Sequence, residues 1–505
     1  MRSYLLVAAL AISGAAQGQK IPDPKAFANS ITADDLKKHL YIVAGKEMEG
    51  RETATEGERK AAAYIETHFR SLGLTPGNNG SYQMMWPLYR DSLLNAAIAV
   101  NGKEFAPDKD FAVTLGSANT SNLMGNEVVF VGYGISDSTR DDYKGINARG
   151  KIVLILAGNA PTPPRRGRGL SPIVEAALKN GAAAILQVQG NFPRRAGNTR
   201  GGLYTSAYRS VNPPNLFSIS EQVAEAIMGA DYAAAKEAMK NNTAQPKAYK
   251  ADVHLSFAKT TNKIESSNVL GVIEGTDKKD EYVFITAHYD HEGKRGDSVI
   301  YYGADDDGSG TVSVLELAEA FAKAKAAGKG PRRSIVFMTV SGEERGLLGS
   351  AYYSEHPIFP LDKTTVDLNI DMIGRIDPKR KVGDSTNYVY VVGDDKLSSD
   401  LRLISEAMNK KYIRMELDYK YNDPKDTERI YYRSDHYNFA RKGVPIIFYF
   451  NGTHNDYHRP TDTPDKIQYE LMMKRARLIF YTAWEMANRN DMLKRDIPLD
   501  TPAGG

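Results

Sequence analysis

Short apolar runs alternate with helix-length stretches through the second half of the chain. The apolar runs, at 283–286, 334–340, 366–370 and 444–449, are four to seven residues long and rich in Val, Ile and Phe. The helix-length stretches are 309–327, which Gly328 ends, 347–354 and 466–487. Strands that alternate with helices are typical of a parallel sheet covered by helices. This half of the chain therefore predicts an α/β fold with a mostly parallel central sheet.

The first half of the chain has a different pattern. Residues 32–74 are predicted to be helical, because apolar positions recur there at helical spacing, and a strand-rich region follows. Further on, the sequence predicts strands at 128–131, 152–156 and 184–188, a helix at 172–179, and exposed loops at 161–169 and 191–202. We interpret 118–255 as a β-rich unit inserted into an α/β domain that comprises 20–117 and 256–492, with a tail at 493–505.

The composition narrows the chemistry. The chain has 505 residues, enough for two or three domains, and a net charge of +3, which gives no reason to expect nucleic acid as a partner. It has no cysteine, which excludes disulfides, a thiolate nucleophile and Cys-ligated zinc. Any metal must therefore bind to carboxylates and to some of the nine histidines.

The first residues have the layout of an export signal. Arg2 precedes an apolar run at 4–12, and small residues follow at 13–16. We therefore expect 1–19 to be a signal peptide and the mature protein to be secreted or periplasmic. No later stretch reaches 18 uninterrupted apolar residues, so we expect no stable membrane anchor. The sequence does not indicate an oligomeric state.

Candidate metal ligands follow the predicted strands of the second half. They are His288 and Asp290, the triplet Asp305, Asp306 and Asp307, the pair Glu343 and Glu344, then Asp371 and His458. Most of these residues, taken singly, would be expected in solvated loops, in turns or at helix caps. Asp371 differs, because an unpaired charge in an apolar strand would cost several kcal/mol. Open α/β sheets place their sites at the carboxyl ends of strands, so together these side chains predict one site.

Five segments in this order resemble metallopeptidase family twenty-eight, which contains bacterial zinc aminopeptidases and the glutamate carboxypeptidases. They are TAHYD at 286–290, GADDDGSG at 303–310, SGEERGLLGS at 341–350, NIDMIG at 369–374 and YHRPTDT at 457–463. The inserted unit resembles a protease-associated domain, through DYKGI at 142–146 and GKIV at 150–153. The resemblance implies a zinc-exopeptidase fold, a three-layer αβα domain with a mostly parallel sheet and this β-rich insert.

The resemblance also implies a role for each residue, with two zinc ions per chain as cofactors. His288 and Asp371 would bind one zinc, Glu344 and His458 the other, and Asp306 would bridge both, with Asp305 as the alternative one position earlier. Asp290 would accept the free ring N–H of His288. Glu343 would act as the general base and Tyr457 as a donor to the oxyanion. His436 and His454 are interpreted as structural or solvated.

We accordingly predict a zinc metallopeptidase that acts on peptide substrates, most simply an aminopeptidase. A carboxypeptidase or dipeptidase on the same metal core, a glutaminyl-cyclase-like acyltransferase and an inactive binding scaffold are the alternatives. Arg433 favours the carboxypeptidase if it binds a substrate carboxylate, but we expect it to pair with Asp435 or a neighbour. A serine hydrolase is not supported, because the sequence has no G-x-S-x-G motif.

Overall fold

The computed structural model describes residues 22–115, 118–156, 170–195, 197, 199–206 and 211–499. These residues form two compact units. The first comprises 22–84, 268–343 and 353–498, and the second comprises the described residues of 85–267 together with 344–352. The predicted signal peptide, the predicted loop at 161–169 and the last residues of the predicted tail lie outside the described residues.

Helices and strands occur along the whole described length of the chain. The helices are α1 (Lys25–Ala28), α2 (Ala33–Val43), α3 (Glu56–Ser71), α4 (Pro172–Lys179), α5 (Glu221–Met228), α6 (Asp231–Lys240), α7 (Gly310–Ala326), α8 (Leu348–Glu355), α9 (Leu401–Met408), α10 (His436–Ala440) and α11 (Tyr469–Asn488). The strands are β1 (Thr75–Pro76), β2 (Gln83–Val100), β3 (Lys103–Phe105), β4 (Phe111–Val113), β5 (Ser121–Phe130), β6 (Ile152–Leu156), β7 (Ala184–Val188), β8 (Arg200–Tyr204), β9 (Asn215–Ile219), β10 (Lys247–Ile273), β11 (Lys278–His288), β12 (Lys294–Arg295), β13 (Val299–Ile300), β14 (Arg333–Val340), β15 (Thr364–Ile370), β16 (Tyr388–Val392), β17 (Glu416–Asp418) and β18 (Ile446–Phe450).

The first unit is built on a mostly parallel sheet. Strand β11 lies between β14 and β15 and is parallel to both, and β15 is parallel to β18. Antiparallel neighbours lie towards the edges, where β16 pairs with β18 and the end of β10 pairs with β14. In this register His288 is opposite Val340, and Ile370 is opposite Tyr449, so four strands end at one edge. The predicted α/β fold is confirmed.

Helices cover both faces of this sheet. Val283 and Ile285 of β11 belong to a buried apolar cluster that includes residues of α2, α7 and α11. Phe284, which lies between them and points to the opposite face, packs against Tyr353 of α8 and Phe439 of α10. Because successive side chains of a strand point to opposite faces, this alternation gives three layers with the sheet in the middle.

The second unit has its own group of paired strands and its own core. Strands β5, β6, β7 and β9 are parallel neighbours, β4 pairs antiparallel with β9, and the first part of β10 pairs antiparallel with β5. A separate apolar cluster fills this unit. The strands predicted at 152–156 and 184–188 and the helix predicted at 172–179 are present with those bounds. The predicted insert, 118–255, lies within this unit.

Two local predictions are wrong. The stretch 32–74 is not continuously helical, because residues 44–55 separate α2 from α3 and contain only a short 3-10 turn at Lys46–Met48. The predicted loop at 191–202 ends early, since β8 begins at Arg200 and pairs with β2.

No helix among the described residues combines the length and the apolar character that crossing a bilayer requires.

Candidate metal centre

Four predicted ligands converge at the edge where the parallel strands end. His288 is the last residue of β11, and Asp371 directly follows β15. The Nε2 atom of His288 lies 3.3 Å from Asp306 Oδ1 and 3.6 Å from Asp371 Oδ1. Nε2 of His458 lies 3.1 Å from the other oxygen of Asp306. The structure thus places Asp306 between the two predicted histidines.

The ring orientation of His288 is fixed by its other nitrogen. Nδ1 lies 3.1 Å from the backbone carbonyl of Asp290, an atom that can only accept, so the Nδ1–H donates to it. The Asp290 carboxylate, the predicted acceptor, is farther away at 3.7 Å. It accepts instead from the Thr53 hydroxyl at 2.7 Å and the Glu343 amide at 3.2 Å. Asp290 therefore orients the ring through its carbonyl and holds the Glu343 backbone through its carboxylate.

When the ring is neutral, this tautomer directs the lone pair of His288 Nε2 at two carboxylates, so that a proton or a metal cation can occupy the position between them. His288 is 1% exposed, Asp306 3% and Asp371 7%, and Nε2 of His288 has no hydrogen-bond partner among the described residues. A lone pair and two anions this close repel one another unless a cation lies between them. Imidazole nitrogen and carboxylate oxygen are also the ligands that zinc accepts when thiolates are absent. These residues therefore fit a bound metal ion.

The three aspartates of the triplet have different partners. Asp305 Oδ1 accepts from the Gly374 amide at 2.6 Å. Asp307 Oδ1 accepts from the amides of Gly310 and Met372, at 2.8 and 3.0 Å. Only Asp306 has both oxygens near the candidate histidines. This arrangement favours Asp306 over Asp305 as the bridging residue.

The charges of the centre are strongly coupled. Burial opposes the protonated form of His288, but the carboxylates of Asp371 and Glu343 outweigh burial and hold its pKa well above the usual value. Burial likewise opposes the anion of Asp306, yet contacts with His288 and His458 hold its pKa well below the usual value. Burial raises the pKa of Asp307 well above the usual value, with the Asp371 carboxylate adding to it. Negative charge is therefore in excess, which favours a cation.

Two histidines near the centre were not predicted as site residues. His291 is fully buried, and its Nδ1 lies 3.9 Å from Asp306 Oδ2. His454 Nε2 lies 3.2 Å from Asp305 Oδ2, so this residue supports the triplet. His291 follows His288 by three residues, and this spacing was the signal that could have identified His291. His436 is structural: it donates from Nε2 to the Tyr431 carbonyl at 2.8 Å, and burial lowers its pKa to about 3.

A buried arginine from the N-terminal segment ties the ligand loops together. The Arg51 guanidinium donates to the carbonyls of Tyr289, Tyr302 and Gly303 at 2.7–2.9 Å, and also to that of Val43. Tyr289 directly follows His288, and Gly303 begins the turn that carries the triplet. Burial lowers the Arg51 pKa only to about 10, so this side chain remains a cation beneath the acidic centre.

Asp462 binds the backbone of the aspartate triplet. One of its oxygens accepts from the backbone amides of Asp305 and Asp306, at 2.9 and 3.2 Å. Asp462 is fully buried, and burial raises its pKa to about 6. The sequence contained this residue in a recognised motif, but nothing in the motif indicated its partners.

A pocket opens beside the centre. The residues that line it include Asp306, Asp371, the half-buried Glu343, Arg433 and Tyr457. The predicted general base is therefore adjacent to two of the predicted ligands. Glu344 is half-buried and follows Glu343 directly, but it begins the segment 344–352 that belongs to the second unit.

Comparisons with known proteins agree with this fold. Residues 268–483 match the model of peptidase family M28. A probable leucine aminopeptidase of Arthroderma otae is 29% identical over 238 residues, which cover 46% of this chain and 61% of that protein. A probable zinc metalloprotease of Pyricularia oryzae is 27% identical, over 47% of this chain and 53% of that protein. The chain thus spans less than two thirds of either relative.

One solved structure is similar over most of the chain. An aminopeptidase from Aneurinibacillus sp. strain AM-1 superposes with a TM-score of 0.56 and 20% identity, covering 95% of this chain and 99% of its own. At this level of identity the likeness shows a shared fold.

Proposed function

This chain belongs to peptidase family M28 through its residues 268–483, and we propose accordingly that it is a secreted co-catalytic di-zinc aminopeptidase. The observation that carries the proposal is the buried Nε2 atom of His288, which faces the carboxylates of Asp306 and Asp371. The names of the two curated relatives, a probable leucine aminopeptidase and a probable zinc metalloprotease, support the same activity.

The metal ligands follow from the site and from the resemblance. His288 and Asp371 would hold one ion, His458 and Glu344 the other, and Asp306 would contribute one oxygen to each. Zinc ions, when bound, polarise the scissile carbonyl and lower the pKa of water to about 7.

Glu343 and Tyr457 would handle the proton and the developing charge. Glu343 lines the pocket beside Asp306 and Asp371, where it can take the proton of the attacking water and return it to the leaving amine. The Tyr457 hydroxyl also lines the pocket and would donate to the oxyanion that develops on the scissile carbonyl. The Asp290 carboxylate, through the Glu343 amide, would keep the base in place.

The remaining assignments concern the rest of the chain. Export would depend on residues 1–19. Residues 118–255 would form the protease-associated domain, which would influence substrate access without contributing chemistry to the centre.

Metal removal should abolish the activity. We expect the purified protein to contain about two zinc ions per chain, because the predicted ligands complete a co-catalytic pair. A chelator should eliminate peptide hydrolysis and added zinc should restore it, with the metal content measured by mass spectrometry at each step. Hydrolysis that persists after verified removal of all metal would exclude a metallopeptidase.

The enzyme should cleave from the amino end. The surplus of carboxylates at the centre favours the cationic α-amine of a substrate over a second anion. We therefore expect cleavage of a peptide with a free N-terminus and a C-terminal amide, and none of an N-acetylated peptide with a free C-terminal carboxylate. Product analysis by chromatography distinguishes the two. The opposite result would replace the aminopeptidase with a carboxypeptidase on the same metal core.

A further inference from the structure

Arg433 is a cation in the substrate pocket whose charge is not matched by an anion among the described residues. It directly follows the 3-10 turn Ile430–Tyr432, its side chain is exposed, and it lines the pocket beside the metal centre. Its Nη2 donates to the Tyr457 hydroxyl at 3.2 Å. Within the part of the chain that the structure describes, no carboxylate forms an ion pair with this guanidinium. The expected pairing with Asp435 is therefore not the contact that this side chain makes.

Two other arginines of the first unit have carboxylate partners. Arg375 pairs with Asp456 at 3.1 Å, and Arg402 pairs with Asp394 at 2.8 Å. A guanidinium carries five N–H donors, so the single bond to Tyr457 leaves most of the donors of Arg433 available. The available donors of Arg433 adjoin the pocket.

The surroundings of Arg433 specify what it can bind. Met372, Ile430, Phe448 and Phe450 give the pocket apolar walls, and Thr453 adds one neutral hydroxyl. The anions of the pocket are the carboxylates proposed to hold metal or to act as the base. A substrate anion would fit this position, and a carboxylate fits best because arginine can bind it through two parallel hydrogen bonds.

We propose that Arg433 binds a substrate carboxylate next to the reacting bond, so that the enzyme prefers peptides that present one there. The carboxylate has two sources: the C-terminus of a dipeptide, or the side chain of an N-terminal Asp or Glu. This inference rests on the proposed aminopeptidase function and names its substrate class. A peptide with a C-terminal amide remains a substrate, but a weaker one than a peptide with the carboxylate.

The test compares two pairs of peptides that differ only in the carboxylate. Leu-Ala and its C-terminal amide probe the dipeptide terminus, and Glu-Ala-amide and Gln-Ala-amide probe the side chain. KM and kcat are measured for the unchanged protein and for Arg433→Gln. An ion pair shielded by the bound substrate should lower KM about fivefold to tenfold for the carboxylate member of at least one pair. Arg433→Gln should bring the KM ratio of that pair close to one.

Arg429→Gln is the matched control. Arg429 lies four residues earlier, and its guanidinium packs on the ring of Tyr432, outside the pocket lining. The Arg429→Gln protein should keep the KM ratios of the unchanged protein. Equal KM values within both pairs for the unchanged protein would overturn the inference, and so would a ratio that survives in Arg433→Gln.

Binding separates this inference from the proposed function. Calorimetry with the zinc-loaded Glu343→Gln protein, with and without Arg433→Gln, gives dissociation constants that do not depend on turnover. If the peptides are not cleaved but the carboxylate member still binds more tightly through Arg433, the proposed function fails and the carboxylate site stands. If the amides are cleaved and neither pair shows a difference in binding, the function stands and the carboxylate site fails.

Discussion

Glu343→Gln should lower kcat by about 10²–10⁴-fold and leave the zinc content close to two ions per chain. The amide cannot accept a proton from the attacking water, but it preserves the size of the side chain. The backbone amide of Glu343, which donates to Asp290 Oδ1 at 3.2 Å, is unaffected by the change. Steady-state kinetics and metal analysis of the same preparation measure the two quantities.

The same substitution at Glu355 is the control for this experiment. Glu355 is an exposed residue at the end of α8 that pairs with Arg441 and Lys442, and Glu355→Gln should change neither kcat nor the zinc content. If Glu343→Gln released zinc, Glu343 would be a ligand and the role of the base would have to pass to another residue.

Asp306→Ala should remove both metal ions and, with them, the activity. Each oxygen of this carboxylate lies near a different histidine, so both predicted ions lose a ligand at once. We expect less than one zinc ion per chain after dialysis, together with a loss of activity beyond about 10³-fold, which removal of an essential metal should exceed.

Asp305→Asn tests the alternative position in the triplet. The amide oxygen of asparagine can still accept from Gly374, as Asp305 Oδ1 does at 2.6 Å, so the turn should be preserved. Asp305→Asn should therefore retain its zinc. Loss of zinc in Asp305→Asn with retention in Asp306→Ala would move the bridging role one residue earlier.

The sequence predicted those features that depend on local pattern. The strands of the first unit follow from apolar runs, and the site follows from the polar residues that end them. Asp371 was conspicuous because an apolar strand leads directly to it, and the structure places it 3.6 Å from His288. In a parallel sheet such strand ends meet, so neighbouring ligands could be predicted before any distance was known.

The parts that depend on distant contacts could not be predicted in the same way. Arg51 lies 238 residues before Tyr289, whose carbonyl it binds, and neither residue carries a local signal of that contact. The ring of His288 donates to the backbone carbonyl of Asp290. The sequence alone does not show whether the backbone carbonyl or the side-chain carboxylate of Asp290 accepts this hydrogen bond. The break between α2 and α3 contains Gly45 and Gly50, which disfavour a helix, and this local signal was missed. The backbone carbonyl of Arg51 at that break accepts from the His291 amide, a contact that the sequence does not indicate.

The hydrogen bonds between Arg51 and the ligand loops limit how far the chain can be shortened. The matched peptidase segment begins at residue 268, so a fragment cut to that segment would lack the guanidinium that lies beneath its ligand loops. The carbonyls of Tyr289, Tyr302 and Gly303 would lose their donor, at about 1–3 kcal/mol for each that stays buried. A proteolytic cut that released residues 22–84 should therefore abolish the proposed activity without removing any of the proposed metal ligands.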